Sequence, residues 1–125
     1  MRSKATIEVI KNRRSIRKFK AEQIAYPDLQ TIMEAALYAP NGMNQQKWHF
    51  SVIQDKSLVD RMVNTMKANM IDSGNEVFAK NAKNPNYNIY YGAPTVILVT
   101  ADEKSKYAQF DCAAAAENIC IAATS

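Results

Sequence analysis

Thr95-Val96-Ile97-Leu98-Val99-Thr100 is an unbroken run of β-branched and aliphatic residues, entered through Gly92-Ala93-Pro94. A strand with one wet face alternates apolar and polar side chains, whereas a continuous run belongs to a strand covered on both faces. The chain therefore has to supply helices to a sheet. From Asp111 the composition turns Ala-rich, with Cys112, Ala115, Ala116, Ile119 and Cys120 predicted to face inward. Alanines let a helix approach its neighbour closely, so this helix is expected to be central.

The remaining elements follow from periodicity and stop signals. Thr6 to Asn12 reads as a first helix, with Ile7 and Ile10 on one face. Pro27 to Ala39 reads as a second, with Leu29, Ile32, Met33, Ala36 and Leu37 at helical spacing, Pro27 in the first turn and Pro40 as the stop. Trp48, Phe50 and Val52 alternate onto one face around a strand at 50–54. Ser57 is placed to cap a third helix with a stripe of Leu58, Val59, Met62, Val63, Met66 and Met70, and Gly74 ends it. Its methionines are read as core filler. Residues 75–91 show no clear period and read as a loop, equally compatible with a pocket lining and with a surface excursion. The final helix runs into Ala122-Ala123-Thr124-Ser125 without glycine, cationic last turn or proline, so residues 1–125 are expected to form a single domain that is incomplete at its C-terminus.

With 125 residues, 47% of them hydrophobic, the composition is that of one folded domain. No apolar run approaches the ~20 residues of a membrane span, and the expected compartment is the cytoplasm. Cys112 and Cys120 would lie ~12 Å apart along a helix, too far for a disulfide, and are read as small buried apolar residues. His49 is the single histidine, so no His cluster is available for a metal, and no metal is expected. The net charge of +4 is concentrated at the start, where Arg2, Lys4, Lys11, Arg13, Arg14, Arg17, Lys18 and Lys20 face Glu8 alone. The basic residues interleave with apolar ones and lead into a folded pattern, which favours a local anion site over a nucleic-acid tail.

Two polar clusters carry the chemistry. Arg13-Arg14-Ser15-Ile16-Arg17-Lys18-Phe19 sets three guanidiniums, an ammonium and a hydroxyl within six residues. Arginine presents a permanently charged planar fork of donors suited to phosphate. Ala39-Pro40-Asn41-Gly42-Met43-Asn44-Gln45-Gln46-Lys47-Trp48-His49-Phe50 is an amide-rich loop beside a Trp, suited to a flat heteroaromatic edge. Together they point to a nucleotide-like cofactor rather than a polymer.

In this order and spacing, the two clusters, the Gly92-Ala93-Pro94 strand entry and the Asp111 helix resemble the FMN-dependent nitroreductase family, over essentially the whole chain. The resemblance implies an α+β sandwich, a mostly antiparallel sheet flanked by helices, working as a homodimer with FMN at the interface. It implies that Arg13 and Arg14 hold the FMN phosphate, that Ser15 hydrogen-bonds the phosphate or ribityl chain, and that Arg17 sits at the pyrimidine edge of the ring as an electrostatic tuner. Pro40, Asn41, Gly42 and Asn44 would approach the flavin of the other subunit, and Asn86 would lie near the ring. The implied activity is hydride transfer from NADH or NADPH through flavin to a nitroaromatic, quinone or related small acceptor, with no side chain acting as nucleophile or acid-base catalyst.

Two departures accompany the resemblance. Lys47 stands where the family has proline before the Trp, and the family's later glycine-rich segment, strands and basic residue do not occur here. Two other functions compete. One is a flavoenzyme of the same fold with other chemistry, reductive dehalogenation or flavin fragmentation. The other is a basic nucleic-acid module, against which stands the single aromatic, Phe19, among the first 20 residues.

Overall fold

The computed structural model describes residues 4–125, so Arg2 of the basic cluster lies outside the described residues. The elements run α1 (Lys4–Asn12), α2 (Tyr26–Leu37), β1 (Trp48–Ile53), α3 (Lys56–Asp72), α4 (Glu76–Lys83), β2 (Val96–Ala101) and α5 (Ala108–Ala122). They gather into two compact units. One comprises the chain up to Ser15, Ile24–Ser51 and Ile97–Ser125; the other comprises Ile16–Gln23 and Val52–Val96.

The first unit is built on α2 against α5. Leu29, Ile32 and Ala36 recur at helical spacing and are buried, and Ala36 and Ala115 are completely so. Two alanines at the contact let the backbones come close enough for Asn118 Nδ2 to donate to the Ala35 carbonyl at 2.9 Å. The expected close-packed Ala helix is thus present, but its inward face differs from the reading. Cys120 is exposed and Cys112 half-buried, both free, while the buried positions on α5 are Asp111 and Ala115. Ile7 and Ile10 of α1 are exposed; Val9 and Thr6 instead line a 310 Å³ groove with Ala35, Asn118 and Ile121. The α2 helix stops at Leu37, three residues before Pro40, because the Tyr38 N–H already turns back onto the Glu34 and Ala35 carbonyls.

The last turn of α5 is better satisfied than its composition suggests. Thr124 Oγ1 and Ser125 Oγ donate to the Cys120 and Ala122 carbonyls at 2.7 and 2.8 Å. These hydroxyls replace the expected glycine or cation as partners for the terminal carbonyls.

In the second unit α3 packs on α4, and Val59, Val63, Ala82 and Val96 are buried. The cap of α3 is Asp55, not Ser57: Asp55 Oδ1 accepts from the Leu58 N–H at 2.8 Å, and Ser57 merely donates its hydroxyl to Asp55. A carboxylate is the stronger acceptor and also meets the positive end of the helix dipole. Gly74, at φ +73, ends the helix as expected. Half of the aperiodic segment 75–91 is the helix α4, whose start is signalled by Asn75 accepting from the Val77 and Phe78 N–H groups. Eight residues are too few to establish a readable period.

The strands β1 and β2 pair with each other, antiparallel, as a two-stranded sheet among the described residues. Of β2 only Val96 is buried, the rest being half-buried or exposed, and Val52 of β1 is exposed where the alternation placed it with Trp48 and Phe50. Among the described residues no helix is long and apolar enough to cross a membrane.

Candidate functional site

The basic cluster begins where α1 ends. Arg13 N–H closes onto the Val9 carbonyl, and Arg14 Nη1 donates to the Lys11 and Arg13 carbonyls at 2.6 and 2.8 Å. Arg14 thus satisfies the carbonyl end of α1, which favours a cation. A guanidinium has five N–H donors, so capping through one nitrogen leaves the others for an anion. Arg13 is half-buried, with Nε 4.0 Å from Glu117 Oε1 on α5. Ser15 is exposed and also engaged in polar contact.

The second cluster is a tight turn. Its helical hydrogen bonds run from Asn44 N–H to the Asn41 carbonyl and from Gln45 N–H to the Gly42 carbonyl, and Asn41 Oδ1 accepts from the Gln46 N–H at 2.9 Å. Met43, Asn44 and Gln46 have φ of 54°, 52° and 51°. This left-handed conformation costs a residue with a Cβ roughly 1–2 kcal/mol, so the turn must be held. Asp111 on α5 and Tyr107 just before that helix hold it: Asp111 Oδ1 accepts from the Gly42 N–H at 2.8 Å, and Tyr107 lies so close that a Cβ on residue 42 would overlap its ring. Gly42 is therefore required by close approach. Pro40 is exposed and Asn41 half-buried.

In the second unit Arg17 and Asn86, 69 positions apart in sequence, line one 490 Å³ cavity with Asn84, Tyr87, Asn88, Tyr91 and Gly92. The Arg17 guanidinium lies over the Tyr91 ring at 5.9 Å from its centroid, a cation–π contact. Tyr91 itself is left-handed, at φ 54°, ahead of Gly92 at φ 72°. Asx turns shape the floor: Asn84 Oδ1 accepts from the Asn86 N–H and Asn88 Oδ1 from the Tyr90 N–H.

All four left-handed non-glycine residues among those described, Met43, Asn44, Gln46 and Tyr91, thus fall in the two segments that carry candidate residues. Such strain concentrates at functional sites. Tyr91, Tyr107 and Asp111 were not singled out from the sequence. The Tyr91-Gly92 pair was a legible signal for a turn; a buried aspartate early in an Ala-rich helix looks like an ordinary first-turn acid. Burial, and secondly the Asp111 carboxylate, push the Cys112 thiol above its ordinary value, which keeps it protonated and unreactive near neutral pH.

The family model for the nitroreductase family matches residues 10–125. The chain belongs to the nitroreductase family, and its α+β fold is the family's. A solved nitroreductase with bound FMN from Bacteroides fragilis is 35% identical with a TM-score of 0.91, over 95% of this chain and 64% of that one. An FMN-dependent nitroreductase from Clostridium difficile is 37% identical with a TM-score of 0.85, over 97% of this chain and 56% of that one. A curated relative from Archaeoglobus fulgidus, provisionally named NADH dehydrogenase/NAD(P)H nitroreductase, is 36% identical over 122 residues, which are 94% of this chain and 60% of the relative. The chain thus spans about 60% of that relative's length.

Proposed function

We propose that the protein binds FMN and works as a flavin-dependent oxidoreductase that takes hydride from NADH or NADPH and reduces a nitroaromatic, quinone or related small acceptor. The observation that carries this reading is the cavity wall on which Arg17, Asn86 and Tyr91 meet. A cation, an amide and an aromatic face together match a polar heteroaromatic ring. The residues fit FMN in a second respect, since the Arg13-Arg14-Ser15 donors suit its phosphate. Family membership and the FMN named for two similar solved structures support the same reading.

When bound, FMN supplies the hydride-accepting and electron-donating ring. Arg13 and Arg14 would hold the phosphate, with Ser15 donating to the phosphate or ribityl chain. Arg17 would place positive charge where the ring edge gains negative charge, which favours electron uptake. Asn86 would hydrogen-bond near the ring. Pro40, Asn41, Gly42 and Asn44 would approach the flavin held by the other subunit of a homodimer. No protein group needs to attack the substrate.

The test is retention of FMN after dialysis, with the reduction potential measured on the retained flavin. Wild type is expected to stay yellow. Arg17→Ala is expected to keep FMN while its midpoint falls and turnover slows. A colourless wild-type protein, even with FMN added in excess, would refute the reading.

A further inference from the structure

We propose that Asp111 is a positioning residue: through the Gly42 N–H its carboxylate holds the 41–46 turn in its left-handed geometry, and so sets where Asn41 and Asn44 meet the cofactor. The proposal rests on the flavin reading of those residues.

Asp111 is 4% exposed, the single buried ionisable side chain among the described residues. Burying a carboxylate is costly unless its oxygens are hydrogen-bonded. Here Oδ1 has one donor, the Gly42 amide, while Oδ2 is buried and pairs with no donor among the described residues. An apolar residue at 111 would leave the Gly42 N–H without its acceptor, because a backbone donor cannot be removed together with its partner. The residue that is there spends its one bond on a backbone 69 positions away. That bond is charge-assisted, about twice as strong as a neutral one.

The recipient explains the expense. Gly42 opens a segment with three left-handed non-glycine residues in four, a conformation that relaxes unless its ends are tied. The Asn41 side chain ties the far end, through the Gln46 N–H. Asp111 ties the near end, and Tyr107 blocks retreat of Gly42 toward α5. Neither contact consumes the Asn44 amide nitrogen, and the tie leaves the turn's amides on a fixed frame.

Two readouts decide it: amide hydrogen exchange at Gly42 without added FMN, and FMN affinity by fluorescence titration of the full-length protein. Asp111→Asn, which keeps an oxygen for the Gly42 N–H but loses the charge assistance, is expected to shift both by only about threefold. Asp111→Leu is expected to speed Gly42 exchange and weaken FMN, each by about tenfold, with exchange in α3 unchanged. Should the Leu variant not fold, Asp111→Ser, whose hydroxyl ends short of the amide, is read the same way. Unchanged Gly42 exchange in the variant lacking the acceptor overturns the clamp. Faster exchange with unaltered FMN affinity, while Arg13→Ala still weakens FMN, overturns the positioning role and leaves the flavin reading standing. A wild type that takes up no FMN removes the reading beneath, and the positioning role falls with it.

Discussion

The two units hold their candidate segments by opposite means. In the first, the 41–46 turn is tied to a buried carboxylate and pressed against Tyr107, behind a helix pair whose contact alanines are fully buried. In the second, Arg17 and the 84–92 segment are shaped by Asx turns and a cation–π contact, and the caps that start α3 and α4 are exposed. Buried polar ties are expensive to break, because the orphaned partner stays out of water; exposed ones are replaced by solvent. Strain is therefore stored securely in the first unit. In the second, each contact contributes little and geometry is maintained by their number.

The sharpest way to break this contrast is Gly42→Val. The added side chain meets the Tyr107 ring, so about 1–3 kcal/mol of stability should be lost, as for other overpacked sites. Denaturant melts giving a wild-type midpoint would show that the turn is not clamped. Arg13→Ala acts on binding instead: losing a charge-assisted phosphate contact of ~1.5–3 kcal/mol should weaken FMN about ten- to hundredfold with little change in melting. Equal affinity would remove Arg13 from the phosphate site.

Smaller effects belong to the exposed caps of the second unit. Asn75→Ala removes the acceptor for two α4 amides and should cost about 1 kcal/mol. A loss as large as that of Gly42→Val would mean that this unit, too, depends on single ties. The smallest effect is that of Asp55→Asn. Hydrogen bonds from Ser57 and the Leu58 amide hold the Asp55 carboxyl below its usual value of 3.8. A depressed folded-state value means the ionised cap stabilises the protein above about pH 3.8, a contribution lost as pH falls through the lowered value. The variant should flatten a slight acid-side slope in melting temperature and leave neutral pH almost untouched. An unchanged slope would show that Asp55 is replaceable as a cap.

What could be read from the residues alone was whatever repeats locally. Leu29, Ile32 and Ala36 repeat at helical spacing and are buried; the alanines of α5 do allow close approach; Gly74 ends α3. The order and spacing of the two polar clusters, the Gly92-Ala93-Pro94 strand entry and the Asp111 helix were enough for the family, because such segments are defined by residue type along the chain. Where the reading failed, the competing choice was local but short, or was made by packing. Asp55 and Ser57 are both plausible caps, and the carboxylate won; α4 spans too few turns to show a period. Cys120 looked inward and is exposed, because which face of an Ala-rich helix is buried depends on where α2 lies.

The sequence by itself determined most of the elements, their order and the family, because propensity, capping and side-chain type act over a few neighbouring residues. Tertiary structure alone decided which distant groups meet. Only folding brings Asp111 to the Gly42 amide and sets Arg17 on the Tyr91 ring beside Asn86. A buried carboxylate and an exposed one are the same letter. Their difference is desolvation, which exists only once another part of the chain has excluded the water.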